Sequence, residues 1–248
     1  MTFTFAAFHR TISAMTNMMT NTAIRGISSM ATRQLLAELV ADYRKQTAID
    51  IQIESAGGVN AANRVLAGEY FDVVFLASDA IDKLIAAGHI DPSSKVDLVN
   101  SGVAVAVRSG AASPDISSEA ALKTAVLAAK TISYSTGPSG VAIVKLFERW
   151  GIAEQIANRI VQAPSGVPVG SLIAKGEVEL GFQQLSEFIH EDGISIVGPL
   201  PPEIQITTTF SAGVCTASTQ KVEAGKLLSF MASPAAAAAK LRQGMEVI

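Results

Sequence analysis

The chain has one cysteine, Cys215, in 248 residues, which excludes an internal disulfide framework and leaves its core to hold the fold. Cys215 sits in an apolar run and is expected to be a small core residue rather than a nucleophile. Basic and acidic residues nearly balance, 19 against 22, and no Lys/Arg cluster occurs, so neither nucleic acid nor an anionic membrane surface is an expected partner. No apolar run reaches the length of about 18 residues needed to cross a bilayer. The three histidines, His9, His89 and His190, form no metal-ligand spacing, and His89 and His190 fit solvated helix ends. No metal or cofactor is expected. A Ser-His-Asp arrangement cannot be assigned, because the segment GPSG lacks the second half of a nucleophile elbow. An export signal is also missing from residues 1–21: the apolar stretch Phe3–Phe8 precedes the only basic residue there, and no small-x-small cleavage site follows. These residues read as a disordered leader, or as the product of a start codon placed upstream of Met15, Met18 or Met19. The expected location is the cytoplasm, or the periplasm if the true start lies elsewhere.

With 49% apolar residues, the chain can bury one large or two modest cores. Its most informative segment is ISYSTGPSGVAIVKLFERW, residues 132–150. A short apolar run leads into a Ser/Thr/Gly turn and then a helix, with Val141, Val144, Leu146, Phe147 and Trp150 as its expected apolar positions. Small residues in such a turn admit close approach by a ligand. Hydroxyls and N–H groups supply donors, and the positive end of the helix favours an anion without any Lys or Arg.

Strand-like runs alternate with amphipathic helices elsewhere, which predicts an α/β fold with an open, mainly parallel sheet. Ala23–Ile27 runs into Ser28 and Ser29, with Ser29 as the expected N-cap of a helix through Lys45. Ile49, Ile51 and Ile53 alternate towards Ser55-Ala56-Gly57-Gly58. Asp72–Leu76 leads into Ala77-Ser78-Asp79 and a helix ending at Gly88. A second series starts at Val103–Val107, continues through a helix over 120–129 and the 135–140 turn, and reaches a loop over 163–170 with a helix over 171–175. Leu180–Phe182, ending at Gln183-Gln184, and Ile194–Val197 are further strands. Prolines 199, 201 and 202 mark a rigid connection. A strand over 206–214, a helix over 222–231 and an alanine-rich helix after Pro234 close the chain.

In this order the segments AGEYFDVVFLAS, NSGVAVAVRSG, YSTGPSG, LFERWGI, KGEVELGFQQLSE, VGPLPPEIQ and LLSFMASPAAAAAKL, with Ser28-Ser29, resemble the periplasmic molybdate-binding protein family of two-lobed solute-binding proteins. The resemblance implies two Rossmann-like lobes closing on a ligand, residues 22–104 with 210–248 and residues 105–209. It implies binding by Ser28, Ser29, Gly57, Gly58 and Ser78 from the first lobe. From the second it implies Thr136, Gly137, Ser139 and Gly140, the 167–171 helix start centred on Val169, and Gln183 or Gln184. The ligand would be a small anion, and an ABC permease would be the partner if the chain is exported. Ala56-Gly57-Gly58 stands where molybdate binders usually carry a serine, and a tyrosine they carry near Gln183-Gln184 is absent. Several segments look more like a branch that contains an enzyme, aconitate isomerase, which shifts the expected ligand from molybdate towards an organic carboxylate.

An allylic isomerase would need an acid and a base. Glu54, Tyr134 and Glu187 are the candidates, with Glu187 expected as a solvated helix residue. Arg25 and Arg108 could meet carboxylates but are expected on strand surfaces. The residues therefore describe a binding site, without a catalytic signature.

Overall fold

A computed structural model describes residues 23–164 and 166–248; the leader expected over 1–21 lies outside them. The first half of the chain is β1 (Ile24–Ser29), a 3₁₀ turn (Met30–Thr32), α1 (Arg33–Gln46), β2 (Ile51–Ala56), α2 (Gly58–Leu66), β3 (Val73–Ala77) and α3 (Ser78–Ala86). Then come β4 (Val96–Arg108), α4 (Glu119–Ala128), β5 (Ile132–Tyr134), α5 (Pro138–Arg149) and α6 (Ala153–Ile156). After these follow α7 (Val169–Ala174), β6 (Leu180–Gln184), α8 (Leu185–Phe188) and β7 (Ile194–Pro199). The chain closes with β8 (Thr207–Val214), α9 (Lys221–Ala232), α10 (Ala237–Arg242) and β9 (Glu246–Val247).

The sheet runs β2-β1-β3-β8-β4-β6-β5, with β7 and β9 also on β4. It is mixed, not mainly parallel. The βα units pair in parallel, β1 with β2 and β3, and β5 with β6. Antiparallel pairing enters through β4 and β8, which carry the chain between the halves in opposite directions. For this reason β4 begins at Val96, seven residues before the expected start: Val96–Gly102 pairs with β8, and Val103–Ala106 with β6.

Strands at the centre are covered on both faces. In β3, Val73 and Phe75 join Leu35, Leu36 and Leu39 of α1, while Val74 and Leu76 join Val65 of α2 and Ile81 and Leu84 of α3. In β4, Val103, Val105 and Val107 share a core with Leu122, Ile143 and Phe147, whereas Ala104 and Ala106 meet Val169 and Ile173 of α7. A period of two delivers successive residues to opposite faces, so two helix layers form from one run of apolar residues. Two lobes result, each a sheet between helices. Helix α5 turns slightly from the expected face. Ile143, Leu146 and Phe147 are buried, whereas Val141 is 54% exposed.

Candidate functional site

The carboxyl ends of β1, β2 and β3 face the starts of α5 and α7 and the end of β6 across a cleft of about 320 Å³. Ligands are expected at such strand ends in open α/β sheets. One wall comprises Ser29–Ala31, the start and one face of α2, and Ala77, Asp79 and Lys83. The other comprises Ser135–Ser139, Pro164, Gly166, Val167, Pro168, Gln183, Gln184 and Glu187. Leu76 and Phe210 supply apolar surface between them.

Of the residues picked out from sequence, Ser29, Gly57, Gly58, Thr136, Gly137, Ser139, Gln183 and Gln184 line this cleft. Ser29 stands before the 3₁₀ turn, but its hydroxyl makes no capping bond. It lies 3.5 Å from the Thr32 hydroxyl, so the expected N-cap role is not taken. Gly57 caps α2 with its carbonyl, which accepts from Ala61 N–H at 2.9 Å. The first N–H groups of that helix have no intrahelical acceptor and are free to meet a ligand. Ser139 Oγ lies 3.1 Å from Ser135 Oγ, which pairs two hydroxyls across the α5 start.

Ser28, Ser78, Gly140 and Val169 are not among the lining residues. Ser28 is fully buried, its hydroxyl 2.7 Å from Ser55 Oγ in the β1–β2 seam; strand alternation sends it away from Ser29. Ser78 is the first residue of α3, flanked by Ala77 and Asp79, which do reach the cleft. Gly140 has a steric role. A Cβ there would lie 1.7 Å from Ser135 O, so only glycine lets the turn fold onto α5. The Val169 N–H is already engaged, donating to Gln183 Oε1 at 2.9 Å.

The two glutamines are anchored to the protein. Gln183 Nε2 donates to Glu187 Oε2 at 2.7 Å, so both ends of its amide are held. The Gln184 amide meets the Thr208 hydroxyl at 2.9 Å and, with its nitrogen turned to β4, donates to Ser101 O at 3.0 Å. It thereby ties the end of β6 to both crossover strands.

Glu187 is not a solvated helix residue. It is half-buried, lines the cleft, and has its proton affinity pushed up to about 7 by burial, with Glu191 adding to the rise and the Gln183 hydrogen bond opposing it. Glu54 and Tyr134 lie outside the lining. Glu54 is held by both terminal nitrogens of Arg64, at 2.9 and 3.0 Å. Tyr134 packs edge-on against Phe147 at 6.2 Å, and burial pushes its phenol up. Arg25 and Arg108 are exposed on their strands, and His190 Nε2 lies 2.5 Å from Gln243 Oε1. Cys215 is buried in the core beside α2 and α3, and that burial pushes its thiol up to about 12.

Sequence reading missed Asn63, Asp79 and Lys83 as lining residues. Helical spacing could have found Asn63, since Val59, Ala62, Asn63 and Leu66 share one face of α2. The same four-residue step links Asp79 to Lys83 on α3. Among the described residues, no group of three or more His, Cys, Asp or Glu is placed to hold a metal ion, and no helix is long and apolar enough to cross a membrane.

The cleft therefore offers helix-start N–H groups, paired hydroxyls, one ammonium, Lys83, and two carboxyls, Asp79 and Glu187, of which Glu187 has a near-neutral proton affinity. A family model described as bacterial extracellular solute-binding protein matches residues 24–246. An aconitate isomerase from Pseudomonas sp. is 35% identical over 233 residues, covering 92% of this chain and 88% of its own. Among solved structures, the periplasmic molybdate-binding protein of Azotobacter vinelandii superposes with a TM-score of 0.77 at 21% identity, covering 91% of this chain and 99% of its own. A periplasmic thiamin-binding protein gives 0.73 at 17%, covering 91% and 83%. A sulfate-binding protein of Mycobacterium tuberculosis gives 0.72 at 13%, covering 91% and 87%. These three likenesses concern the fold.

Proposed function

The chain belongs to the bacterial extracellular solute-binding protein family, and from that premise we propose that its two lobes close over a small organic anion of the polycarboxylate class. The observation that carries this reading is the cleft itself. Donors converge on it from both walls, namely the N–H groups at the starts of α2 and α5, the Ser29 and Ser139 hydroxyls, and Lys83. Dipoles of this kind favour negative charge without neutralising it. A cleft of about 320 Å³ has room for a branched carboxylate.

A thermal-shift screen against molybdate, tungstate, sulfate, phosphate, citrate and both aconitates tests the reading. Stabilisation by the carboxylates supports it. Stabilisation by molybdate and tungstate alone replaces it with oxyanion binding, and no shift with any compound counts against both. For a copy of the chain outside the cytoplasm, an ABC permease is the proposed partner.

A second reading is favoured by the 35% identical aconitate isomerase. Here the closed cleft would exclude water while a proton leaves a carbon beside one carboxylate and another is returned across the allylic system. An ultraviolet assay that leaves cis- and trans-aconitate unchanged over hours at micromolar protein would sink it.

A further inference from the structure

Glu187 stands out because it is a carboxyl group placed among donors for an anion. Its position is built, not incidental. The Gln183 amide is fixed by Val169 N–H at 2.9 Å and directs its own nitrogen to Glu187 Oε2 at 2.7 Å. One carboxyl oxygen is thus anchored to lobe structure on a cleft-lining residue. The hydrogen bond from Gln183 is the contact this carboxyl makes, and no ion pair among the described residues includes it.

We propose that Glu187 takes up a proton as the cleft closes on a carboxylate and then donates a hydrogen bond to it, so that the protein binds its ligand together with one proton. This rests on the anion-cleft reading above. The physical reason is that two carboxylates brought together away from water cannot both stay ionised, and sharing one proton turns their repulsion into a hydrogen bond. The proton has a short way to come, since Glu187 already titrates near 7 before any ligand arrives.

The surroundings contain little to oppose this. Helix α8 packs against β4, β6, β7 and the Met30–Thr32 turn. Of these, β6, β7 and the turn carry no charged side chain. On β4, Asp97 is bonded to Ser211 and Arg108 lies exposed at the far end. Leu185 and Ile189 also approach Gly244 after α10, where Arg242 is paired with Glu38 and Lys240 is buried. Asp79 and Lys83 face the same cleft from α3. Glu191, beyond the end of α8, is the charge that raises the proton affinity of Glu187.

Calorimetric titration of the full chain with citrate and with trans-aconitate, between pH 7.5 and 9 in HEPES and in Tris, tests the proposal. Both ligands are fully ionised there, so any proton taken up comes to the protein. The expected result is a binding heat that differs between the buffers by close to one proton, with affinity falling about tenfold per pH unit. Glu187→Gln keeps an acceptor for Gln183 and offers an N–H to the ligand, and its binding should be buffer-independent and flat with pH. Wild-type binding with equal heats and a flat pH profile overturns the proposal alone, as does an unchanged slope in Glu187→Gln. If the wild type binds neither ligand, the anion-cleft reading falls with it.

Discussion

The two walls of the cleft come from the same βα pattern yet present their donors differently. On the wall formed by β1, β2 and β3, Gly57 and Gly58 expose a helix start, and the Ser29 hydroxyl has one distant neighbour, Thr32 Oγ1 at 3.5 Å. On the wall formed by β5 and β6, polar groups are tied to one another. Ser135 meets Ser139, Gln183 bridges Val169 and Glu187, and Gln184 reaches Thr208 and Ser101. A wall of backbone donors accepts any anion that fits. A pre-bonded network sets direction and protonation, because moving one member leaves another unsatisfied.

Five substitutions sharpen or break this contrast. The largest effect is expected for Gly140→Ala on the networked wall. Its Cβ would lie 1.7 Å from Ser135 O, a backbone atom with no rotamer to escape through. A stability loss of about 3 kcal/mol or more is expected in denaturant unfolding. By contrast, a Cβ on Gly58 would rest 3.8 Å from Ser29 Cβ, so Gly58→Ala should change stability by less than about 1 kcal/mol. Equal losses at both glycines would erase the contrast.

The next effect is pH-dependent. Glu187 binds its proton more tightly folded than unfolded, from an ordinary 4.5 up to about 7. The stability it contributes is therefore fully present below 4.5 and is lost as pH rises through about 7. Melting temperatures of the ligand-free wild type should fall over that window relative to those of Glu187→Gln. A constant difference between the two curves would show that Glu187 does not titrate there.

Ser139→Ala removes the partner of Ser135 and one donor to the ligand. Weakening of ligand binding by about 1 to 2 kcal/mol is expected in calorimetry. Smallest is Ser29→Ala. Because the Ser29 hydroxyl caps nothing, melting should shift by less than about 0.5 kcal/mol equivalent, well below the usual loss of a cap. A loss near 1 kcal/mol would mean that it does cap the turn.

Much of this could be read from residue order. The alternation of strand and helix, the Gly and Ser residues at strand ends, and the α5 start all follow from local periodicity and turn chemistry. Eight of the twelve expected ligand residues line the cleft. The four that do not show what was illegible. Ser28 and Ser29 are neighbours with identical side chains, and only the pairing of β1 with β2 decides which of them faces the cleft. Val169 has its N–H at a helix start, but Gln183, fourteen residues on, takes it.

Local sequence therefore determined the βα units, the two-layered cores and the donor-rich turns, since these depend on side-chain period and backbone freedom within a few residues. Tertiary structure alone decided the antiparallel crossover through β4 and β8, the anchoring of both glutamines and the withdrawal of Glu187 from bulk water. The crossover and the Gln184 anchor join residues far apart in the chain, and the burial that contributes most to raising the proton affinity of Glu187 comes from tertiary packing, which the four-residue spacing to Gln183 and Glu191 does not encode.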